Sequence, residues 1–208
     1  MNPYVIENKD IDGNGAIACI SIKNINKFLV ISNCKFSNAS YGVYLSNVSN
    51  SQLLNITAYK CHRSGMYLEN VSLSRVSDCK IEDNIKYGII LNNSDTNEVS
   101  VNELSNNNIT AIQLENSLDN IVISNEINNH RNGILLIKSN FSLIAYNRGE
   151  NNYCNINEID CIGNILQGNF DIFFYQNIIF FDGTIFIILI ISLSFFVIFI
   201  KIRKIKKK

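Results

Sequence analysis

Four side chains suited to chemistry lie close together in the sequence: His62, Arg63, Asp83 and Lys86. An imidazole and two cations beside a carboxylate can bind a charged ligand or move a proton. Arg63 and Lys86 occupy equivalent positions in two successive copies of a sequence repeat, and so do Lys60 and Asp83. Ion pairing between neighbouring copies would account for the presence of these charged residues without a functional site. In addition, no pair of carboxylates recurs at the spacing of a hydrolase. We therefore expect no catalytic activity and keep the four residues as candidate ligand-binding groups.

Residues that bind metals are few in this chain. It has two His and two Met, one of which is Met1, whereas a copper site needs several imidazole, thiolate or thioether ligands together. His62 and His130 lie three repeats apart, which separates them by about 14 Å when strands stack at their usual spacing. The six Cys include no Cys-x-x-Cys pair, the spacing that is typical of zinc sites. We expect no metal and no cofactor.

Most of the cysteines stand where the repeat has a small buried residue. Cys154 and Cys161 differ because both follow the last regular repeat. A disulfide between them would fix the final coil in an oxidising compartment. The sequence therefore predicts this pairing, provided that the domain lies outside the cell.

The elements that position these residues are set by the repeat. One phrase recurs with a period of about 22 or 23 residues: a small residue, an apolar residue, any residue, Leu, and Asn two places later. Copies begin at Gly42, Gly65, Gly88, Ala111 and Gly133, and a weaker first copy begins at Cys19. A repeat of two helices needs more than about 30 residues, whereas the shorter period fits three short strands and three turns. The repeat predicts an all-β parallel β-helix of about six coils.

Superimposing the copies gives four apolar columns that must face inward. The first two run through Ile20, Val43, Met66, Ile89, Ile112 and Ile134, and through Ile22, Leu45, Leu68, Leu91, Leu114 and Leu136. The third and fourth run through Val30, Leu53, Val76, Val99, Val122 and Leu143, and through Phe36, Tyr59, Ile81, Leu104 and Ile127. Stacked coil upon coil, these columns form a continuous core that no single coil could bury.

Asparagines form columns as well. One column holds Asn24, Asn47, Asn70, Asn93 and Asn116, and a second holds Asn38, Asn84, Asn107, Asn129 and Asn151, with Cys61 interrupting it. Asn tolerates the left-handed backbone of a sharp turn, and stacked amides can hydrogen-bond from one coil to the next. We interpret both columns as structural ladders.

The C-terminal part of the chain has the pattern of a membrane anchor. From Ile178 to Ile200 the residues are apolar except for five, and six of the last eight residues are basic. A helix of this length crosses a bilayer, and basic residues after it are retained in the cytoplasm. The rest of the chain carries 12 basic and 18 acidic residues, a net charge of about −6 that argues against a nucleic-acid partner. We expect a single-pass membrane protein with its repeats outside the cell.

The N-terminus leaves two interpretations open. The first eight residues have neither the basic start nor the apolar run of a signal peptide. Either the chain is anchored by its tail with the repeats in the cytoplasm, or it lacks the start of a longer exported protein. Residues 3–8 and 11–15 already have the character of a repeat, which favours the second interpretation.

The repeated phrase, its spacing and the Asn-rich turns resemble the right-handed parallel β-helix repeats of the NosD-type family over about residues 3–150. That family is often described as periplasmic and copper-binding, and it belongs to a carbohydrate-binding and sugar-hydrolase repeat group with a pectin-lyase-like fold. The resemblance implies right-handed winding. It also implies an alternative function as a polysaccharide lyase or hydrolase, because pectin-lyase-like β-helices gather carboxylates and basic residues on one outer face. His62, Arg63, Asp83 and Lys86 are the matching candidates.

The sequence thus predicts four segments. Residues 1–150 form the β-helix, 151–177 a last coil and linker, 178–200 a transmembrane helix and 201–208 a cytoplasmic tail. The predicted role is structural, adhesive or glycan-binding, with glycans or other surface proteins as partners and no catalysis.

Overall fold

Three parallel sheets, A, B and C, wind into a β-solenoid of about seven turns. The computed structural model describes the backbone of residues 3–172, 177–181, 184–190 and 197–202, and the side chains of residues 3–170. Each turn of the solenoid contributes one strand to each sheet, so the predicted all-β parallel β-helix is confirmed. The described turns continue to Ile172.

The strands are numbered in chain order. Sheet A contains β1 (Tyr4–Glu7), β4 (Leu29–Ser32), β7 (Ser51–Leu54), β10 (Arg75–Ser77), β13 (Glu98–Ser100), β16 (Ile121–Ile123), β19 (Leu143–Ala145) and β22 (Ile165–Gln167). Sheet B contains β2 (Asp10–Asp12), β5 (Lys35–Ser37), β8 (Thr57–Tyr59), β11 (Lys80–Glu82), β14 (Glu103–Ser105), β17 (Glu126–Asn128), β20 (Arg148–Glu150) and β23 (Phe170–Ile172). Sheet C contains β3 (Ala18–Ile25), β6 (Tyr41–Ser49), β9 (Ser64–Ser72), β12 (Tyr87–Asn92), β15 (Thr110–Glu115), β18 (Asn132–Ile137) and β21 (Cys154–Ile159).

The core consists of stacked apolar columns. Both columns predicted for sheet C pair in register from coil to coil, and most of their members are fully buried. In sheet A the buried column contains Ile31 and Ile144, so the predicted members Val30 and Leu143 are wrong by one residue. In sheet B the buried residue is Ala58, not Tyr59. Paired residues are 22 positions apart at these points, whereas the predicted columns used spacings of 23 or 21, and a shift of one residue moves a side chain to the opposite face.

The small residue of the repeated phrase is explained by close packing between coils. A Cβ atom added to Gly88 would lie 2.5 Å from the carbonyl oxygen of Ala111 in the next coil. The same atom on Gly42 would lie 2.6 Å from the oxygen of Gly65. Larger side chains at this position would therefore force neighbouring coils apart.

Polar side chains form ladders inside the corners of the solenoid. The backbone N–H of Asn102 donates to the side-chain oxygen of Asn125 one coil later at 3.0 Å, and Nδ2 of Asn102 donates to the carbonyl of Val76 at 3.1 Å. Equivalent bonds join the buried amides of the other corners, so the buried backbone of the turns is satisfied by side chains. The corner between sheets A and B holds Cys79, Asn102, Asn125, Asn147 and Asn169, and the corner between sheets B and C holds Cys61, Asn84, Asn107, His130 and Asn152.

The C-terminal segment contains strands where the sequence predicts a helix. β24 (Asn177–Phe181), β25 (Thr184–Ile190) and β26 (Val197–Ile202) form a separate antiparallel sheet. Within the parts of the chain that the structure describes, no helix has the length and apolar character that a bilayer crossing requires. The predicted helix from Ile178 to Ile200 is therefore not shown, and Ile, Phe and Val, which dominate this segment, favour strands as well. Residues 203–208 of the predicted tail lie outside the described residues.

Candidate ligand-binding face

The outer face of sheet C presents tyrosines. β6 and β9 have nine residues each, and alternate side chains of a strand point to opposite faces. The apolar residues of the repeated phrase face inward, so the free position between them faces outward. That position is Tyr44 in β6 and Tyr67 in β9, and the two are paired in register. Tyr41, at the start of β6, is a third partly exposed tyrosine on the same face.

These three tyrosines form one aromatic cluster, which we call the tyrosine cluster. The ring centroids of Tyr41 and Tyr44 are 5.6 Å apart and their planes are nearly parallel. The centroid of Tyr67 lies 5.3 Å from that of Tyr41 and 5.6 Å from that of Tyr44. Aromatic rings at these separations attract one another, so the cluster is a stable platform on an otherwise flat sheet.

Polar groups surround the tyrosine cluster on the side toward the next corner. The hydroxyl of Tyr44 donates to Oε2 of Glu69 at 2.6 Å, and the hydroxyl of Ser46 donates to the same oxygen at 3.4 Å. Nδ2 of Asn92 donates to the hydroxyl of Tyr67 at 3.1 Å. The hydrogen bond to Glu69 raises the pKa of Tyr44, and burial raises the pKa of Tyr67. Both phenols are therefore neutral near pH 7.

Two cations lie against the cluster. Nζ of Lys23 is 5.1 Å from the ring centroid of Tyr44, and the guanidinium of Arg63 is 5.8 Å from that of Tyr41. Arg63 also donates to the hydroxyl of Tyr41 at 3.0 Å. Positive charge over an aromatic face is favourable, so both side chains are held at the cluster instead of extending freely into water.

Of the four residues that the sequence singles out, only Arg63 contacts the tyrosine cluster. His62, Asp83 and Lys86 lie at the corner between sheets B and C. The backbone N–H of Tyr87 bonds to the carbonyl of Arg63, which places Lys86 one coil beyond Arg63 as predicted. Among the residues with described side chains, ion pairs join Arg75 to Glu98 and Lys80 to Glu82 but join none of the four. The structure therefore does not assemble them into a single site.

The predicted ladder residues occupy two different environments. Asn24, Asn47, Asn70, Asn93 and Asn116 are exposed and have φ between 49° and 57°. Nδ2 of Asn47 donates to Asn24 at 3.0 Å, and Nδ2 of Asn70 donates to Asn47 at 3.1 Å. Asn84 and Asn107 are buried in the inner ladder, whereas Asn129 lies outside it with a φ of 65°. His130, the next residue, continues the inner ladder.

The predicted disulfide is not formed. The thiols of Cys154 and Cys161 are both free. Cys154 begins the six-residue strand β21 and Cys161 follows its end, and strands rise about 3.3 Å per residue, so the two Cα atoms are much further apart than the roughly 7 Å that a disulfide spans.

The two histidines lie three repeats apart but do not occupy equivalent positions in their coils. His62 is exposed on the corner, while His130 is buried in line with Cys61, Asn84 and Asn107. Within residues 3–172 and the later described strands, no three His, Cys, Asp or Glu side chains come together as metal ligands.

The tyrosine cluster was not predicted, although the sequence contains a signal for it. Tyr44 and Tyr67 occupy the free position in two successive copies of the phrase. Identical aromatic residues at an outward position in adjacent coils must meet across the sheet. The arrangement can bind a flat ligand with polar edges, since it combines aromatic surface, a carboxylate, an amide and two cations.

Comparison with solved structures finds two epimerases, and one of them has a similar fold. The crystal structure of the periplasmic alginate epimerase AlgG matches 72% of this chain with a TM-score of 0.56 and 16% identity. This chain spans 42% of the length of AlgG. The A-module of the Azotobacter vinelandii mannuronan C-5 epimerase AlgE4 matches 80% of this chain and 63% of its own length, with 12% identity and a TM-score of only 0.31.

The likeness to AlgG corrects one expectation from the sequence. We expected no enzymatic activity, and that expectation is wrong as an inference from this fold, because AlgG shares the fold and is an epimerase. At 16% identity the likeness establishes the fold alone, and it assigns no reaction to this chain.

Sequence comparison gives the family. No curated protein is significantly similar to this chain in sequence. Residues 4–179 match the family described as the right-handed β-helix region, which is broader than the NosD-type repeats. With most of its length matched and its three parallel sheets in place, the chain belongs to the right-handed β-helix family.

Proposed function

We propose that this protein binds a glycan on the outer face of sheet C. The observation that supports the proposal is the tyrosine cluster of Tyr41, Tyr44 and Tyr67 with its polar border. An aromatic face carries negative charge density that favours packing against the C–H groups of a sugar ring. Hydroxyl groups at the edges of that ring then need donors and acceptors, which Glu69, Asn92 and Arg63 provide.

The shape of the face favours an extended ligand. Tyr44 and Tyr67 lie in adjacent strands, which are about 4.8 Å apart in a sheet. A chain of sugar rings that crosses the strands can place successive rings on successive coils. The open, flat surface favours binding along the length of a polysaccharide more than enclosure of a single small molecule.

The test compares tyrosines on two faces. Tyr67→Ala and Tyr44→Ala remove rings from the cluster, while Tyr59→Ala removes a partly exposed tyrosine from the outer face of sheet B. Loss of a central aromatic contact typically costs about 1.4 kcal/mol or more, so we expect each cluster variant to weaken glycan binding about tenfold or more. The measurement is a glycan array followed by titration with the best ligand. Equal weakening by Tyr59→Ala, or no binding by the unmodified protein, would contradict the proposal.

A carbohydrate-active enzyme is the second candidate, and the contact between Tyr44 and Glu69 favours it. A phenol that donates to a carboxylate at 2.6 Å is a pair through which a proton can move. The test is incubation with polyuronates, with elimination, hydrolysis and epimerisation followed by NMR. Glu69→Gln should abolish turnover but weaken binding much less, because Gln keeps a side-chain oxygen that accepts hydrogen bonds, whereas turnover that survives this change would exclude the pair from catalysis.

We further propose that the chain is attached to a membrane through the segment from Ile178 to Ile200, with the repeats outside the cell. The apolar composition of this segment and the basic residues after it support the attachment. Insertion as a helix would replace the strand pairing of β24, β25 and β26. Flotation of the full chain with phosphatidylcholine vesicles at high salt tests the attachment, and protein that stays at the bottom of the gradient would overturn it.

A further inference from the structure

The outer face of sheet A changes character halfway along the solenoid. One outward position holds Gln52, Arg75 and Glu98 in three successive coils, and Arg75 pairs with Glu98 at 3.4 Å. The same position then holds Ile121, Leu143 and Ile165. Ile121 is 40% exposed and Ile165 is 59% exposed. The same position holds Val5 and Val30 in the first two coils, so the face is polar only across these three middle coils and is apolar in the three coils that follow.

A second row of apolar residues lies beside this column. Phe141 and Ile162 are 60% and 68% exposed at the neighbouring corner, and the backbone N–H of Phe141 bonds to the carbonyl of Ile162. Leu118 lies one coil before Phe141 and two coils before Ile162. We call Leu118, Ile121, Phe141, Leu143, Ile162 and Ile165 the apolar patch. Of the sixteen large apolar side chains exposed among residues 3–170, ten lie at or after Leu118, so exposure is concentrated near the C-terminal end of the solenoid.

Contiguous exposed apolar surface of this kind marks a contact with another apolar body. We propose that the apolar patch rests on the lipid of the membrane to which the chain is attached. This inference rests on the proposed membrane attachment and adds to it an orientation, with the later coils of sheet A against the bilayer and the tyrosine cluster of sheet C away from it.

The position of the patch along the chain supports lipid as the occupant. Ile172, the last described residue of the solenoid, is six residues before Ile178. An extended chain spans at most about 3.6 Å per residue, so Ile172 stays within roughly 22 Å of the start of the apolar segment. Phe141 and the half-exposed Tyr146 are aromatic residues at the edge of the patch, as is common where proteins meet the membrane interface.

The charges at the border of the patch indicate which lipid to use. Asp119, Asp160 and Lys138 lie at the same corner, so the border has no excess of positive charge. Contact therefore depends on apolar surface and not on anionic headgroups. Phosphatidylcholine, which has no net charge, is the suitable test lipid.

The chain has no Trp, which gives a clean reporter. Ile165→Trp places the probe in the patch, and Gln52→Trp places it at the equivalent outward position among the polar middle coils. The full-length variants are reconstituted with phosphatidylcholine vesicles, and emission is measured with and without bromine atoms on the lipid acyl chains. We expect a shift to shorter wavelength and strong quenching for Ile165→Trp, and neither change for Gln52→Trp. Phe141→Trp is a second reporter, and circular dichroism confirms that each variant is folded.

The outcomes separate this inference from the attachment on which it rests. If the protein floats with vesicles but Ile165→Trp and Phe141→Trp are not quenched, the attachment stands and the lipid contact is refuted. If the protein does not float, both fail. A shift of the emission to shorter wavelength without vesicles also overturns the inference. If that shift does not depend on protein concentration, the C-terminal segment covers the patch. If the shift does depend on protein concentration, a second copy of the chain covers it.

Discussion

Acid should destabilise this protein through His130. The side chain is 4% exposed in the inner ladder between sheets B and C. Nε2 of His130 lies 3.1 Å from Nδ2 of Asn107, and Nδ1 lies 3.2 Å from Oδ1 of Asn152. Because an amide nitrogen can only donate, Nε2 accepts and the ring proton is on Nδ1. The ladder therefore accommodates the neutral imidazole, and no hydrogen-bond acceptor faces Nε2 for a second ring proton.

The size of this loss of stability follows from the pKa of His130. Burial lowers the pKa of His130 from 6.5 to about 4, and the hydrogen bond to Asn152 opposes the shift only in part. Between these values the unfolded chain binds the proton and the folded chain does not, so stability falls as the pH falls through this window. A difference of about 2.5 pH units corresponds to about 3 kcal/mol, a large fraction of the stability of a typical domain.

His130→Asn is the matched control, because Asn occupies the equivalent position in neighbouring coils. We expect urea denaturation to show that the unmodified protein loses about 3 kcal/mol more than the variant between pH 7 and pH 4. The carboxylates titrate in both proteins and cancel in this comparison. If the two proteins lose stability in parallel, His130 is not held neutral by the fold and the assignment of the ladder is wrong.

Three substitutions test the core and the ladders, and one labelling experiment tests the thiols. Leu91→Asp should unfold the solenoid, because the fully buried side chain has no polar partner and the cost is several kcal/mol; an unchanged thermal transition by circular dichroism would contradict the core. Asn102→Ala should cost about 1 to 3 kcal/mol in chemical denaturation by leaving buried backbone groups unpaired. Asn70→Ala should cost about 1 kcal/mol, because Ala is strained in the left-handed backbone conformation and one exposed hydrogen bond is lost. A larger loss for Asn70→Ala than for Asn102→Ala would mean that the exposed ladder, and not the inner one, stabilises the fold. Cys79, whose pKa burial raises to about 12, should resist iodoacetamide at pH 8 while Cys154 reacts, as counted by mass spectrometry.

The repeat predicted the fold because the same pattern of small, apolar and Asn residues recurs in every coil at a nearly fixed period. The repeat does not, however, place each side chain more accurately than to within one residue. Pairs such as Asn106–Asn107 and Asn151–Asn152 place two asparagines side by side, one with left-handed backbone and one buried in the ladder. Composition cannot distinguish the two positions, so the sequence placed Asn129 in the ladder where the structure has His130. Coils whose lengths differ by one residue cause the same error in the apolar columns.

The tyrosine cluster was not predicted from the sequence, for a different reason. Period-two alternation places Tyr44 and Tyr67 outside, but it does not say that Tyr41 joins them. In β6 both Gly42 and Val43 are buried, so strict alternation fails there and Tyr41 reaches the ring of Tyr44. Such a local departure from regular geometry depends on packing between coils, which the sequence of one coil does not specify.

The C-terminal segment shows how one composition can satisfy two structures. Ile, Phe and Val are as favourable in a bilayer as in a sheet, so apolar length alone predicted a membrane helix. The sequence between β24 and β25 is Asp182-Gly183, and Asp-Gly between two apolar runs is a strong signal for a two-residue hairpin. Replacing Gly183 with Leu would remove that signal and lengthen the apolar run. We expect the change to strengthen flotation with vesicles if the segment enters the bilayer as a helix, and to destabilise the paired strands without increasing flotation if it does not.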